Sequence, residues 1–171
     1  ELLPADEAHP DCCFVEDTAV VQAGAALISR PGAPSRRGEC PAIAAALAPH
    51  LDLHTMTAPA HLDGGDVLRV GDTLYVGLSS RTDAAGVAAL AAFAEPLRLA
   101  VRPVPLAAGL HLKSVVTLAD PHTLVLLADT VDPAVFTGLD ILETHEPPGA
   151  NVLALGPRVL VAAAAPQTAA R

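Results

Sequence analysis

Hydrophobic positions fall into short apolar runs separated by turn residues, and the same order of runs returns about every fifty residues. In the first unit an apolar strand is predicted over 13–22 and another over "AALIS" (25–29). The turn "RPGAP" leads to a helix over 36–48 with Ser35 as its expected N-cap, and "LDLHTM" closes the unit as a strand. The second unit has "DVLRV" and "TLYVGL" joined by a Gly-Asp hairpin turn, a helix over 82–94 capped by Thr82 or Ser80, and the strand "LRLAVRPVPL". The third runs "KSVVTLA", "TLVLLAD", a short helix near 132–138, and "LDILET"; "NVLALG" and "RVLVAAAA" open a fourth. Each unit is therefore strand, strand, helix, strand.

The leading strand of every unit begins at a polar group: Glu16–Asp17, then Asp66, then Lys113–Ser114, then Asn151. If the units surround an axis as propeller blades do, equivalent strand positions converge on one central site. The pair in "CCFVEDTAVV" is the most pointed case, because adjacent carboxylates in an apolar run are costly to bury unless a cation meets them.

Composition narrows the partners. With 51% apolar residues in 171 the chain is globular, and one domain over 1–171 is expected. Aromatics at 2% remove the stacking platforms of single-strand nucleic-acid binders, and a net charge of −9 argues against any polyanion while suiting a small cation. No apolar run is long enough for a membrane span, and "ELLPADEAHPD" has neither the basic region nor the apolar core of a signal peptide. Three cysteines, two of them adjacent, fit a reducing compartment better than a disulfide framework, so the cytoplasm is expected. Cys12 and Cys13 read as small buried hydrophobes.

Five stretches carry candidate chemistry. They are Asp11, Glu16 and Asp17; Arg30, Arg36 and Arg37; His61, Asp63 and Asp66; Arg81; and His111 with Lys113. Phosphate-cradling glycine loops, a nucleophile elbow and zinc spacing are all missing, and "LDGGD" lacks the ligand spacing of an EF-hand, its glycines reading as a tight turn. No metal or cofactor is expected. Carboxylates, arginines and a histidine together suit a zwitterionic ligand with a cationic side chain, such as an amino acid.

The motifs "PDCCFVEDTAVV", "SRPGAPSRRGE", "LDGGDVL", "VGLSSRT", "GLHLKSVVT" and "ANVL", in this order, resemble the dimethylarginine dimethylaminohydrolase family of the guanidino-group-modifying superfamily. The resemblance implies a five-bladed α/β propeller of ββαβ units, of which about three and a half are present. It implies hydrolysis of Nω-methylated arginine to citrulline and a methylamine through a covalent cysteine intermediate. His111 matches the general acid/base, Asp63 the carboxylate that orients it, and Asp17, with Glu16 beside it, the guanidinium site. Asp11 matches a contact on the substrate's α-amino end, and Arg36 and Arg81 the pair gripping its carboxylate. None of Cys12, Cys13 or Cys40 matches the nucleophile, which is expected C-terminal to this chain, as a covering segment is expected N-terminal to it. On that basis the 171 residues alone are expected to be inactive and, with sheet edges open, of doubtful independent stability. The alternatives are an arginine deiminase-type hydrolase and an arginine-binding pseudoenzyme without the nucleophile.

Overall fold

A computed structural model describes residues 2–171, and in it the repeat is one of sheets. In the first unit β1 (Ala19–Gln22) pairs antiparallel with β2 (Ala25–Ile28), and β2 pairs parallel with β3 (Asp52–Thr55) after the crossover helix α1 (Cys40–Leu47). The second unit repeats this with β4 (Val67–Val70), β5 (Thr73–Leu78), α2 (Ala84–Ala94) and β6 (Ala100–Pro105). The third has β7 (Val116–Leu118), β8 (Thr123–Leu127) and β9 (Asp140–Thr144), with a 3-10 turn at Pro133–Val135 where a helix was expected. The hairpin of β10 (Leu153–Leu155) and β11 (Arg158–Leu160), followed by the short α3 (Pro166–Ala169), begins a fourth. These are blades of an α/β propeller: two carry the crossover helix, a third has a 3-10 turn in its place, a fourth is opened, and the described residues close no ring.

The middle strands hold the blades together. β2 is buried along its whole length, which is why it reads as an unbroken apolar run. On β5, Leu74 and Val76 enter a core shared with Leu27, Leu62 and Leu90, whereas Tyr75 enters a second core with Val104, Val116, Leu124 and Phe136. The period-two alternation of one strand thus fastens blade two to both its neighbours. Among the described residues no helix is long and apolar enough to cross a membrane.

Three local expectations are corrected. The acidic pair lies in a 3-10 turn, Val15–Thr18, ahead of β1 and not inside a strand. Equivalent turns at Gly64–Asp66, Leu112–Ser114 and Pro147–Gly149 precede β4, β7 and β10, so the polar groups stay off the ladders and the sheets keep their apolar faces. The helix predicted over 36–48 is a 3-10 turn over Pro34–Glu39 followed by α1, and Ser35 makes no cap hydrogen bond. A 3-10 turn eclipses side chains three apart, which brings Arg36 onto Glu39. Finally, α2 is capped by Asp83, whose Oδ1 accepts the Gly86 N–H at 2.6 Å, while the Thr82 hydroxyl turns inward.

Candidate active site

The turns that open the first three blades meet, and their side chains form the site. Asp17 lies within the first turn, is buried, and accepts the Gly65 N–H on Oδ1 at 2.9 Å. Asp63 precedes the second turn, is fully buried, and accepts the Gly32 N–H on Oδ1 at 2.9 Å. His111 precedes the third, and its Nε2 lies 3.1 Å from Asp63 Oδ2 and 3.8 Å from Asp17 Oδ1.

The two glycines of "LDGGD" lie in the expected turn, but neither has a positive φ, so the turn itself does not require glycine. They serve close approach: a Cβ on Gly64 would collide with the Glu16 carbonyl, and one on Gly65 would stand 2.6 Å from Asp17 Oδ1 and 2.9 Å from the His111 ring. Gly65→Ala is therefore expected to destabilise the fold by about 1–3 kcal/mol. It should also pull Asp17 and His111 apart, which thermal unfolding and the His111 ring resonances would record.

The charge state of His111 is set by opposing influences. Burial is the largest and favours the neutral ring. The hydrogen bond to Asp63 and the charges of Asp17 and Asp66 together outweigh it, and the pKa is raised above the ordinary histidine value. The ring is thus an imidazolium over more of the neutral range than a free histidine. Its contribution to stability is full below the ordinary histidine pKa and is lost as pH rises through the raised one.

Arg36 departs from its expected place. Its guanidinium is buried, with Nη1 2.5 Å from Asp17 Oδ2, Nε and Nη2 on the Glu39 carboxylate at 2.7–3.2 Å, and Nη2 also donating to the carbonyls of Asp11 and Phe14. All three nitrogens are engaged inside the protein, so this geometry does not offer Arg36 to a ligand carboxylate. Two buried carboxylates need a cation, and Arg36 supplies it, held ionised chiefly by the bonds to Glu39, against the cost of burial, with help from Asp17. Glu39 and the Gly65 amide are the partners that sequence reasoning missed. The Arg36–Glu39 spacing was the available signal.

A cavity of about 440 Å³ opens over Asp17, Gly65 and His111, with Cys13, Phe14, Lys113 and Asn151 on its walls. Exposed Glu16 sits on the rim, its Oε1 2.6 Å from Lys113 Nζ. The site therefore brings Glu16, Asp17, Asp63 and His111 together. It does not bring in Asp11, which is exposed and holds Arg36 by its carbonyl, or Arg81, whose described bonds are all from its backbone. Among the cysteines only Cys40 is buried, and burial with the Glu39 charge pushes its thiol pKa up; Cys12 is half-buried and Cys13 exposed, against expectation, because both lie in the turns ahead of the first sheet. Asp17, Asp63 and His111 each present a ligand atom within 4.8 Å of the others, the group among the described residues able to hold a metal ion. Ligation would need a neutral imidazole, whereas the raised His111 pKa favours the protonated one. What the arrangement suits is an organic cation on the carboxylates with a proton donor beside it.

A family profile described as arginine deiminase matches residues 39–153. The dimethylarginine dimethylaminohydrolase of Streptomyces coelicolor is 46% identical over 99% of this chain and 66% of its own length, and that of Pseudomonas aeruginosa is 34% identical over 98% and 67%. The chain thus spans about two thirds of the length of these relatives. A solved structure of the P. aeruginosa enzyme, a serine-for-cysteine mutant complexed with citrulline, superposes with a TM-score of 0.89 at 33% identity, covering 98% of this chain and 68% of that one. Shared sequence, shared blades and the paired turns that build the site lead to one conclusion: the chain belongs to the dimethylarginine dimethylaminohydrolase family.

Proposed function

We propose that the protein carrying this chain hydrolyses Nω-methylated arginine to citrulline and a methylamine. The observation that carries the proposal is the His111 imidazole, 3.1 Å from Asp63 and 3.8 Å from Asp17, facing a cavity of about 440 Å³ with carboxylates at floor and rim. Citrulline in the P. aeruginosa relative supports the same product here. A guanidinium is resonance-stabilised and a poor electrophile, so it must be held cationic and oriented. Asp17 at the floor of the cavity and Glu16 on its rim do this.

The nucleophile is a cysteine thiolate from the family's C-terminal segment; Cys40, buried and with its pKa raised, is unsuited to the task. The thiolate forms a C–S bond to the guanidinium carbon. As the C–N bond to dimethylamine breaks, His111 gives its proton to the leaving nitrogen. The now neutral ring takes a proton from the water that attacks the same carbon, the C–S bond breaks, the remaining hydroxyl proton passes to the released amine through solvent, and citrulline, thiolate and imidazolium remain. Asp63 holds the ring in place and favours its protonated form. No cofactor takes part.

A pH–rate profile tests this. Asp63→Asn removes a carboxylate that raises the His111 pKa, so less imidazolium remains at neutral pH and the alkaline limb of kcat should move to lower pH. Citrulline release from asymmetric dimethylarginine, measured across pH for both proteins, would show it. An alkaline limb unmoved by the substitution counts against His111 as the acid.

A further inference from the structure

We infer that Asp66, which touches no reacting atom, is the positioning residue that holds His111 and Asp63 in register; this rests on the assignment of that pair to acid–base work. Asp66 is fully buried. Its Oδ1 accepts the N–H of Leu112, the residue after His111, at 2.9 Å. Its Oδ2 accepts the Thr82 hydroxyl at 2.7 Å, and that same Oγ1 accepts the N–H of Asp63 at 3.2 Å. One carboxylate therefore reaches the backbone at both members of the pair, directly on one side and through one hydroxyl on the other. Ser79 Oγ donates a third bond at 2.7 Å.

The surroundings are built around this junction. A Cβ on Gly77 of β5 would stand 2.6 Å from Asp66 Oδ1 and 2.9 Å from Leu112 Cβ, so the strand carries glycine where the carboxylate passes. Three donors and no acceptor around Asp66 suit a carboxylate, and an amide would turn an N–H toward one of them. Burying a carboxylate is costly, and burial pushes the Asp66 pKa up against the bonds from Thr82, Ser79 and Leu112. A merely structural plug could be apolar, whereas a plug that fixes two backbones needs these acceptors. In the sequence Asp66 is only the polar start of a strand, so its reach to residues 46 and 16 positions away stays hidden.

Three variants of the full protein test the inference: Asp66→Asn, Thr82→Val and Thr82→Ser. Displacing a catalytic group by an ångström costs about 100-fold in rate, so Asp66→Asn should lower kcat toward that extent with KM within about threefold. Around the His111 ring the charged groups are Asp17, Asp63, Asp66 and Lys113, the last paired with Glu16. Losing the Asp66 charge should shift the ring's titration, followed by NMR without substrate, to lower pH. Thr82→Val should lower kcat about 10-fold and Thr82→Ser should restore it, a pair that decides the matter if Asp66→Asn does not fold. Wild-type kcat and an unshifted titration in Asp66→Asn, or equal rates for Thr82→Val and Thr82→Ser, overturn the inference. A His111 titration lowered in Thr82→Val, which keeps the Asp66 charge, but not in Thr82→Ser, in a protein that leaves methylarginine intact supports the anchor and overturns the proposed activity.

Discussion

Replacing His111 with alanine is expected to lower kcat for asymmetric dimethylarginine by about 10³-fold or more, with KM little changed, because the proposed mechanism uses one ring both as acid and as base. The direction follows from geometry. The ring is held by Asp63 at 3.1 Å, so its loss removes a proton donor while Asp17, tied to Gly65 and Arg36, keeps its place. Substrate binding, carried by carboxylates, should survive. Steady-state kinetics would check this, and a small exogenous amine base restoring part of the rate would identify the lost function as proton transfer. A large rise in KM with kcat intact would instead make His111 a binding group.

Replacing Arg36 with methionine is expected to destabilise the fold by about 3–5 kcal/mol, since it strands two buried carboxylates. For a protein of this size that is a fall of roughly 6–20 °C in Tm. Adding Glu39→Gln to the same protein should recover part of the loss, because one stranded charge is removed. Thermal unfolding of both variants measures it. The competing role, a grip on the substrate carboxylate, predicts a nearly unchanged Tm and a raised KM that vanishes for a substrate lacking the carboxylate.

The repeat was legible because buried middle strands leave unbroken apolar runs, and because the polar strand openers recur in order. The motifs single out Asp17, Asp63 and His111, and the structure brings these three side chains close together. The place of Arg36 was not legible. Two adjacent arginines opening a helix give no sign that one turns inward, and only the 3-10 geometry that eclipses it onto Glu39 decides the matter. The cap of α2 was not legible for a related reason. Thr82 has the side chain of a cap, but its hydroxyl is taken by Asp66, which leaves the next residue, Asp83, to cap α2. Likewise "GG" signals a turn in one dimension, while in three it marks where two turns press together.

The rival reading is hydrolysis of unmethylated arginine, and the matching family profile is described as arginine deiminase. The leaving group separates the two. With the full protein at equal concentrations of asymmetric dimethylarginine and arginine, dimethylamine and citrulline should appear in equal amounts, with ammonia release at least about 100-fold slower than dimethylamine release. Ammonia released from arginine faster than dimethylamine from its methylated form would contradict the proposed activity.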